Sequence, residues 1–122
     1  MKKILFIEDE AILQEAVGEF LRHKGFSVMK ALDGETGVRL AKQEGPDLIL
    51  LDLILPKKEG FEVLKELKED DKTKEIPVII LTNLEGIKDL DKAMSYGATT
   101  YLIKTQYNLE EILGKIKEII GE

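Results

Sequence analysis

The sequence predicts an α/β protein in which a five-stranded parallel sheet is doubly wound, with five helices divided between its two faces. Short apolar runs alternate with amphipathic segments five times along the chain, which is the pattern of repeated β–α units. Three of the runs are almost unbroken, as expected for strands that are covered on both sides. The 122 residues suit one domain, and residues 1–122 are assigned to it.

The five candidate strands are short. They are Ile4–Ile7, Ser27–Ala31, Leu48–Leu51, Val78–Leu81 and Tyr101–Ile103. A helical segment separates each strand from the next, so right-handed crossover connections and a parallel sheet are expected.

The segments between and after the strands show helical spacing of apolar residues. The first segment has Leu13, Ala16, Val17 and Phe20, and the third has Phe61, Leu64 and Leu67. The fourth has Ile87, Leu90 and Met94, and the fifth has Leu109, Ile112, Leu113, Ile116 and Ile120. The second segment runs from about Gly34 to Glu44, with Asp33 as a candidate N-cap and Gly45-Pro46 as the stop. In the last segment Asn108 precedes Glu111 by three positions, a variant of the capping box.

Composition narrows the class of protein. The chain is 43% hydrophobic and 34% charged, as in globular domains, and has no cysteine for disulfides or thiolate metal sites. Its net charge of −6 argues against direct binding of nucleic acid, which needs a basic face. No apolar run approaches the roughly 18 residues of a membrane span. The first apolar run, Ile4–Ile7, is too short for a signal peptide and ends in Glu8-Asp9-Glu10. We therefore expect a cytoplasmic protein.

Polar residues follow four of the five predicted strands. Glu8 and Asp9 follow the first strand, Asp52 the third, Thr82 the fourth and Lys104 the fifth. Singly, Asp9 could be a helix N-cap, Thr82 a strand-end hydroxyl and Lys104 a solvated charge. Asp52 stands between two apolar stretches, where an uncompensated carboxylate is costly. Since the carboxyl ends of parallel strands form one edge, where ligand sites develop, the joint occurrence predicts a site.

The three carboxylates of this edge call for a cation. Two carboxylates 4 Å apart repel by about 4 kcal/mol at an effective dielectric constant near 20. The candidate ligands are hard oxygen atoms without histidine or cysteine, which favours Mg²⁺ over zinc or copper. A cation there could also offset the charge of a phosphoryl group.

In this order and strand context, the pattern resembles the receiver domain family of two-component response regulators, over the whole chain. The matching features are Glu8-Asp9, Asp52, the loop from Leu55-Pro56 to Gly60, Thr82, and Tyr101 preceding Lys104. The resemblance implies a flavodoxin-like strand order, 2-1-3-4-5.

The resemblance also implies roles for the residues. Asp52 would accept a phosphoryl group, and Mg²⁺ would be held by Glu8, Asp9, Asp52 and the backbone carbonyl of Ile54. Lys104 would pair with the Asp52 carboxylate and then with the phosphoryl oxygens.

Two further residues would form the switch. Thr82 would turn inward to the phosphoryl group, and Tyr101 would follow into the vacated space, changing the surface formed by the fourth helix, the fifth strand and the fifth helix.

By the same resemblance, the protein is a phosphoacceptor that assists its own phosphorylation and dephosphorylation, and is not otherwise an enzyme. The phosphodonor would be a sensor histidine kinase or a phosphotransfer protein. The output would go to a downstream protein or to an output domain that this sequence lacks. A monomer or weak dimer is expected, with no direct contact to nucleic acid or membrane.

The sequence departs from the family at two places. Thr105 follows Lys104 where the family usually has a proline joined by a cis bond. A cis bond before a non-proline residue costs about 3 kcal/mol, so we predict a trans bond and an altered loop. Asn83 stands where a small residue is typical, and its amide could alter access to the site. Ile54 and Leu84, two residues beyond Asp52 and Thr82, are apolar and are hypothesised to shield the phosphoryl group.

Two other functions fit the sequence less well. An aspartyl-nucleophile, metal-dependent phosphatase usually needs a second acid two residues after the nucleophile, where Ile54 stands. A flavodoxin-like cofactor carrier would need a loop after the first strand that cradles phosphate, whereas Glu8-Asp9 would repel it.

Two residues of the first helix have simple interpretations. His23 is expected on the helix surface near the C-terminal end. Ile12 is expected to pack in the core, with a kinase-docking contact as the alternative.

Overall fold

A computed structural model describes residues 1–121 and contains the predicted parallel sheet. The strands are β1 (Lys3–Ile7), β2 (Ser27–Ala31), β3 (Leu48–Leu51), β4 (Val78–Thr82) and β5 (Thr100–Ile103). They lie in the order β2-β1-β3-β4-β5, with every pair of neighbours parallel. The predicted fold class and strand order are confirmed, and the predicted strand bounds agree to within one residue.

The helices follow the strands along the chain. They are α1 (Ala11–His23), α2 (Gly34–Glu44), α3 (Gly60–Glu69), α4 (Ile87–Ser95) and α5 (Leu109–Ile120), with a short 3₁₀ helix at Lys104–Gln106. Residues of α2, α3 and α4 pack on one face of the sheet, and residues of α1 and α5 on the other. Within the described residues, no helix has the length and apolar character to cross a membrane.

Strand residues alternate between the two cores because successive side chains point to opposite faces. Leu5 and Ile7 of β1 face α2, α3 and α4, while Ile4 and Phe6 face α1 and α5. These four side chains are fully buried. Residues 48–51 alternate in the same way. Burial on both faces explains the unbroken apolar runs in the sequence.

The predicted helix caps are present. The Asp33 side chain accepts a hydrogen bond from Thr36 N at 2.8 Å, and Gly45 ends α2 in the left-handed region at φ 55°. Asn108 and Glu111 form the reciprocal capping box, at 2.8 and 2.9 Å. These local contacts satisfy backbone groups that the helix ends leave without partners.

Two helices bury a different face from the one that their apolar residues indicate. In α1, Gln14 is buried whereas Ala16 is exposed. Ile12 is 89% exposed, so the expected core packing is wrong. The reason is that Val17, Gly18 and Leu21, with Gln14, form the face of α1 that meets the sheet. His23 is exposed as expected, with its Nε2 3.7 Å from Glu19 Oε2.

The apolar stripe of α4 is largely exposed. Ala93 is the only buried residue of this helix, while Ile87, Leu90 and Met94 remain accessible. A small residue at the contact point lets the helix approach the sheet and leaves the larger side chains at the margin. The helix therefore has little apolar anchoring, which is typical of elements that move.

Candidate functional site

The pairing of β1 with β3 brings Glu8 and Asp52 together. Ile7 of β1 pairs with Leu51 of β3, so Glu8 and Asp52 follow neighbouring strand ends. The backbone N–H of Asp52 donates to Ile7 O at 3.1 Å. Glu8 is fully buried and Asp52 is 3% exposed. The juxtaposition predicted from strand ends is confirmed for this pair.

A buried amide fixes the backbone that presents Glu8. Gln14 Nε2 donates to Phe6 O at 3.1 Å, Glu8 O at 3.2 Å and Ala31 O at 2.9 Å. Glu8 N also donates to Ala31 O at 3.0 Å. One side chain of α1 thereby joins the carboxyl ends of β1 and β2. No role was predicted for Gln14, although a glutamine between Leu13 and Val17 in an apolar stripe is a visible signal.

Lys104 is the cation at the centre of the site. Its ammonium donates to Asp52 Oδ2 at 2.8 Å and to Glu10 Oε1 at 3.0 Å, and lies 2.8 Å from Glu8 Oε1. Its side chain is only 10% exposed. Burial by itself lowers the pKa of Lys104, but the surrounding carboxylates outweigh burial and hold that pKa above its ordinary value. Lys104 is therefore charged at neutral pH.

Glu8 is the most strongly perturbed carboxyl group of the site. Burial raises its pKa from 4.5 to about 7, although Lys104 and the backbone N–H of Glu10 act in the opposite direction. Oε2 accepts from Glu10 N at 3.0 Å. Oε1 lies 2.8 Å from Lys104 Nζ as an ion pair and is buried without a directed hydrogen bond among residues 1–121. A buried acceptor in this state calls for a further ligand.

The two residues after Glu8, Asp9 and Glu10, lie differently relative to the site. Asp9 is exposed and does not belong to the cluster of carboxylate oxygens. That cluster consists of Glu8, Glu10 and Asp52, with one oxygen from each within 4.8 Å of the others. Asp9 is a predicted metal ligand, and no role was predicted for Glu10. Which of two adjacent acids turns inward depends on the turn before α1, and composition carries no signal for it.

The loop after Asp52 is held by a close backbone approach. Ile54 N donates to Asp52 Oδ1 at 3.2 Å, and Gly60 N donates to Leu53 O at 2.9 Å. A Cβ atom at Gly60 would lie 2.2 Å from Leu53 Cα and 2.6 Å from Asp52 O. Glycine is therefore required where α3 begins, because any side chain would displace the backbone of the phosphoacceptor candidate.

The two predicted switch residues contact one residue of the β4–α4 loop. Thr82 is fully buried, and its Oγ1 accepts from Leu84 N at 3.4 Å. The half-buried Tyr101 donates its hydroxyl to Leu84 O at 2.9 Å. Burial raises the pKa of Tyr101 to about 12, with smaller effects from Asp89 and Asp52. Movement of this loop would thus affect both side chains.

The peptide bond after Lys104 has the predicted trans geometry. No cis peptide bond occurs in residues 1–121, so the Lys104–Thr105 bond is trans as expected. Residues 104–106 form the 3₁₀ helix. Asn83 is exposed next to the buried Thr82.

The donor chemistry of the cluster fits a divalent hard cation. Carboxylate oxygens of Glu8, Glu10 and Asp52 converge, and Glu8 Oε1 has an unused lone pair in a buried position. Oxygen donors of this kind suit Mg²⁺ or Mn²⁺. The arrangement can therefore hold a cation and, on Asp52, offer a carboxylate nucleophile beside an ammonium group.

Comparison with known proteins agrees with this geometry. Residues 4–117 match the family described as the response regulator receiver domain. Among curated proteins, the chain is 40% identical over 120 residues to the DNA-binding dual master transcriptional regulator RpaA of Synechocystis, and 43% identical over 120 residues to the transcriptional regulatory protein CiaR of Streptococcus pneumoniae. These matches cover 98% of this chain but 49% and 52% of the relatives, so the chain spans about half of their length.

A solved structure gives the same result. The receiver domain of a sensor histidine kinase from Pseudomonas aeruginosa, determined with a magnesium ion coordinated in its active site cleft, is 28% identical. It superposes with a TM-score of 0.90, and the match covers 99% of this chain and 98% of that one.

Proposed function

The chain belongs to the response regulator receiver domain family, and on this premise we propose that Asp52 accepts a phosphoryl group from a phosphohistidine and so switches a two-component signalling pathway. The observation that carries the proposal is the 2.8 Å hydrogen bond from Lys104 to a nearly buried Asp52. A carboxylate in this position has a cation to share with an incoming phosphoryl group.

The transfer requires positioning more than proton chemistry. A carboxylate oxygen of Asp52 forms the new O–P bond as the P–N bond of phosphohistidine breaks, and the electron pair returns to the imidazole of the donor. Such in-line transfers depend on alignment and on neutralisation of charge. Lys104 supplies one positive charge, and the aspartyl phosphate carries about two negative charges at neutral pH.

We further propose that the site holds Mg²⁺. Glu8 and Asp52 are the buried ligands, and the side chain of Asp9 and the backbone carbonyl of Ile54 remain predicted ligands. When bound, the cation would neutralise charge on the phosphoryl oxygens. The buried Glu8 Oε1 without a hydrogen-bond partner supports this assignment.

The same proposal assigns the switch to Thr82 and Tyr101. Thr82 would leave Leu84 N for a phosphoryl oxygen, at the cost of one long hydrogen bond. Because Tyr101 holds Leu84 from the other side, the β4–α4 loop and Tyr101 would rearrange together. The weak apolar anchoring of α4 means that such a rearrangement opposes few packing contacts.

The partners follow from the chemistry. The donor is a sensor histidine kinase or a phosphotransfer protein, and the output passes through the surface formed by α4, β5 and α5. RpaA and CiaR are transcriptional regulators, which favours a transcriptional output. The protein acts as a phosphoacceptor and catalyses no turnover of a separate substrate. A cytoplasmic location remains a prediction. The phosphatase alternative is not favoured, because Ile54 offers no second acid.

The test is phosphoryl incorporation from acetyl phosphate, followed by intact mass with and without Mg²⁺. Wild type should take up one phosphoryl group only when Mg²⁺ is present, and Asp52→Asn should take up none. Asp71→Asn is the matched control, since this aspartate is 92% exposed in the α3–β4 loop. Equal incorporation in wild type and Asp52→Asn would refute the proposal.

A further inference from the structure

Three carboxylates compete for the one ammonium group of the site. An ammonium group has three protons to donate. Lys104 Nζ lies 2.8 Å from Asp52 Oδ2, 2.8 Å from Glu8 Oε1 and 3.0 Å from Glu10 Oε1. Two of these contacts are hydrogen bonds, from Lys104 to Asp52 and to Glu10. A phosphoryl group on Asp52 brings about two negative charges close to the Glu10 carboxylate, whose oxygen lies within 4.8 Å of an Asp52 oxygen.

The three carboxylates differ in what their release would cost. Glu8 is fully buried, and a carboxylate that loses its cation inside the protein carries a heavy desolvation cost. Asp52 becomes an uncharged acyl group on phosphorylation, so its contact with Lys104 passes to the phosphoryl group. The side chain of Glu10 is 60% exposed. Water can replace Lys104 around Glu10 at little cost, because exposed ion pairs contribute little.

We propose that Glu10 is a positioning residue that holds one donor of Lys104 in the unphosphorylated protein and gives it up to a phosphoryl oxygen. This inference rests on the proposed function of Asp52. It concerns a residue for which the sequence predicts no role. The Glu10–Lys104 contact is made before transfer and lost after it, so it disfavours the phosphorylated form.

The chain offers a matched control for charge. Glu85 is an exposed residue of the β4–α4 loop at the same edge of the sheet. It takes part in none of the salt bridges of residues 1–121, in contrast to Glu10. Glu85→Gln therefore changes the net charge by the same amount as Glu10→Gln without removing a contact to Lys104.

The experiment measures the rate of phosphoryl incorporation from phosphoramidate at saturating Mg²⁺. Glu10→Gln should raise the rate by roughly two- to fivefold, the value of an exposed ion pair, and Glu85→Gln should leave it unchanged. In a Lys104→Met background, Glu10→Gln should have no effect. In the metal-free protein, Glu10→Gln should shift the ¹⁵N resonance of Lys104 Nζ, and Glu85→Gln should not.

Several results would overturn the inference. Equal rate increases in Glu10→Gln and Glu85→Gln would show that the change in net charge alone causes the effect. An undiminished rate increase from Glu10→Gln in the Lys104→Met background would show that Glu10 does not act through Lys104. A higher Mg²⁺ requirement in Glu10→Gln would make Glu10 a metal ligand instead. If wild type incorporates no phosphoryl group on Asp52, the proposed function fails first and the inference falls with it.

Discussion

Replacing Glu8 by glutamine should change the pH dependence of folding in the metal-free protein. Glu8 is fully buried, and burial raises its pKa from 4.5 to about 7. Glutamine has nearly the same shape as the protonated carboxyl group and cannot ionise. The variant therefore removes one titration from the folded state and leaves the packing intact.

The sign and size follow from linkage between protonation and folding. The folded protein binds the Glu8 proton more tightly than the unfolded chain, so this stabilisation is complete below pH 4.5 and is lost as the pH rises through about 7. At about 1.4 kcal/mol for each unit, the difference between the pKa values of Glu8 in the unfolded and folded protein corresponds to about 3 kcal/mol in the free energy of unfolding. Glu8→Gln should match wild type near pH 4.5 and exceed its free energy of unfolding by up to about 3 kcal/mol at pH 8.

The assay is urea unfolding in the presence of a chelator, at a series of pH values between 4.5 and 8. In thermal unfolding at pH 8, the same difference corresponds to a Tm about 10 °C higher for Glu8→Gln than for wild type, for a domain of this size. Added Mg²⁺ should stabilise wild type more than Glu8→Gln, because only wild type offers this carboxylate. Glu85→Gln serves as the control. A difference between Glu8→Gln and wild type that is the same at every pH would refute the reasoning.

Two further predictions concern the backbone and the rim of the site. Gln14→Leu should lower the free energy of unfolding by roughly 2–3 kcal/mol in a chemical denaturation series, because it removes the donor shared by Phe6 O, Glu8 O and Ala31 O. An unchanged denaturation midpoint would contradict that role. Ile54→Gln should accelerate loss of the phosphoryl group by up to about tenfold, the equivalent of about 1.4 kcal/mol, if Ile54 shields it from water. Ile54→Leu is the control, and equal decay in wild type and both variants would exclude shielding.

Local contacts explain why much of the fold was predictable. The strands are buried on both faces, so their apolar runs are unbroken and their bounds lie within one residue of the prediction. The Asp33 cap and the Asn108–Glu111 capping box depend on residues three positions apart. Predictions failed where the buried face of a helix depends on the partner it meets. Ile12 of α1 and the apolar stripe of α4 are exposed, because Gln14 and Ala93 lie at the contacts with the sheet.

The sequence by itself determined which chemical groups stand at the ends of the strands. Glu8, Asp52, Thr82 and Lys104 follow apolar runs directly, and parallel strands must end at one edge. Only the tertiary structure decided how these groups share charge. That Glu10 and not Asp9 turns toward Lys104 depends on the turn between β1 and α1. The pKa of Glu8 depends on burial, which is a property of the assembled sheet and helices and of no single residue.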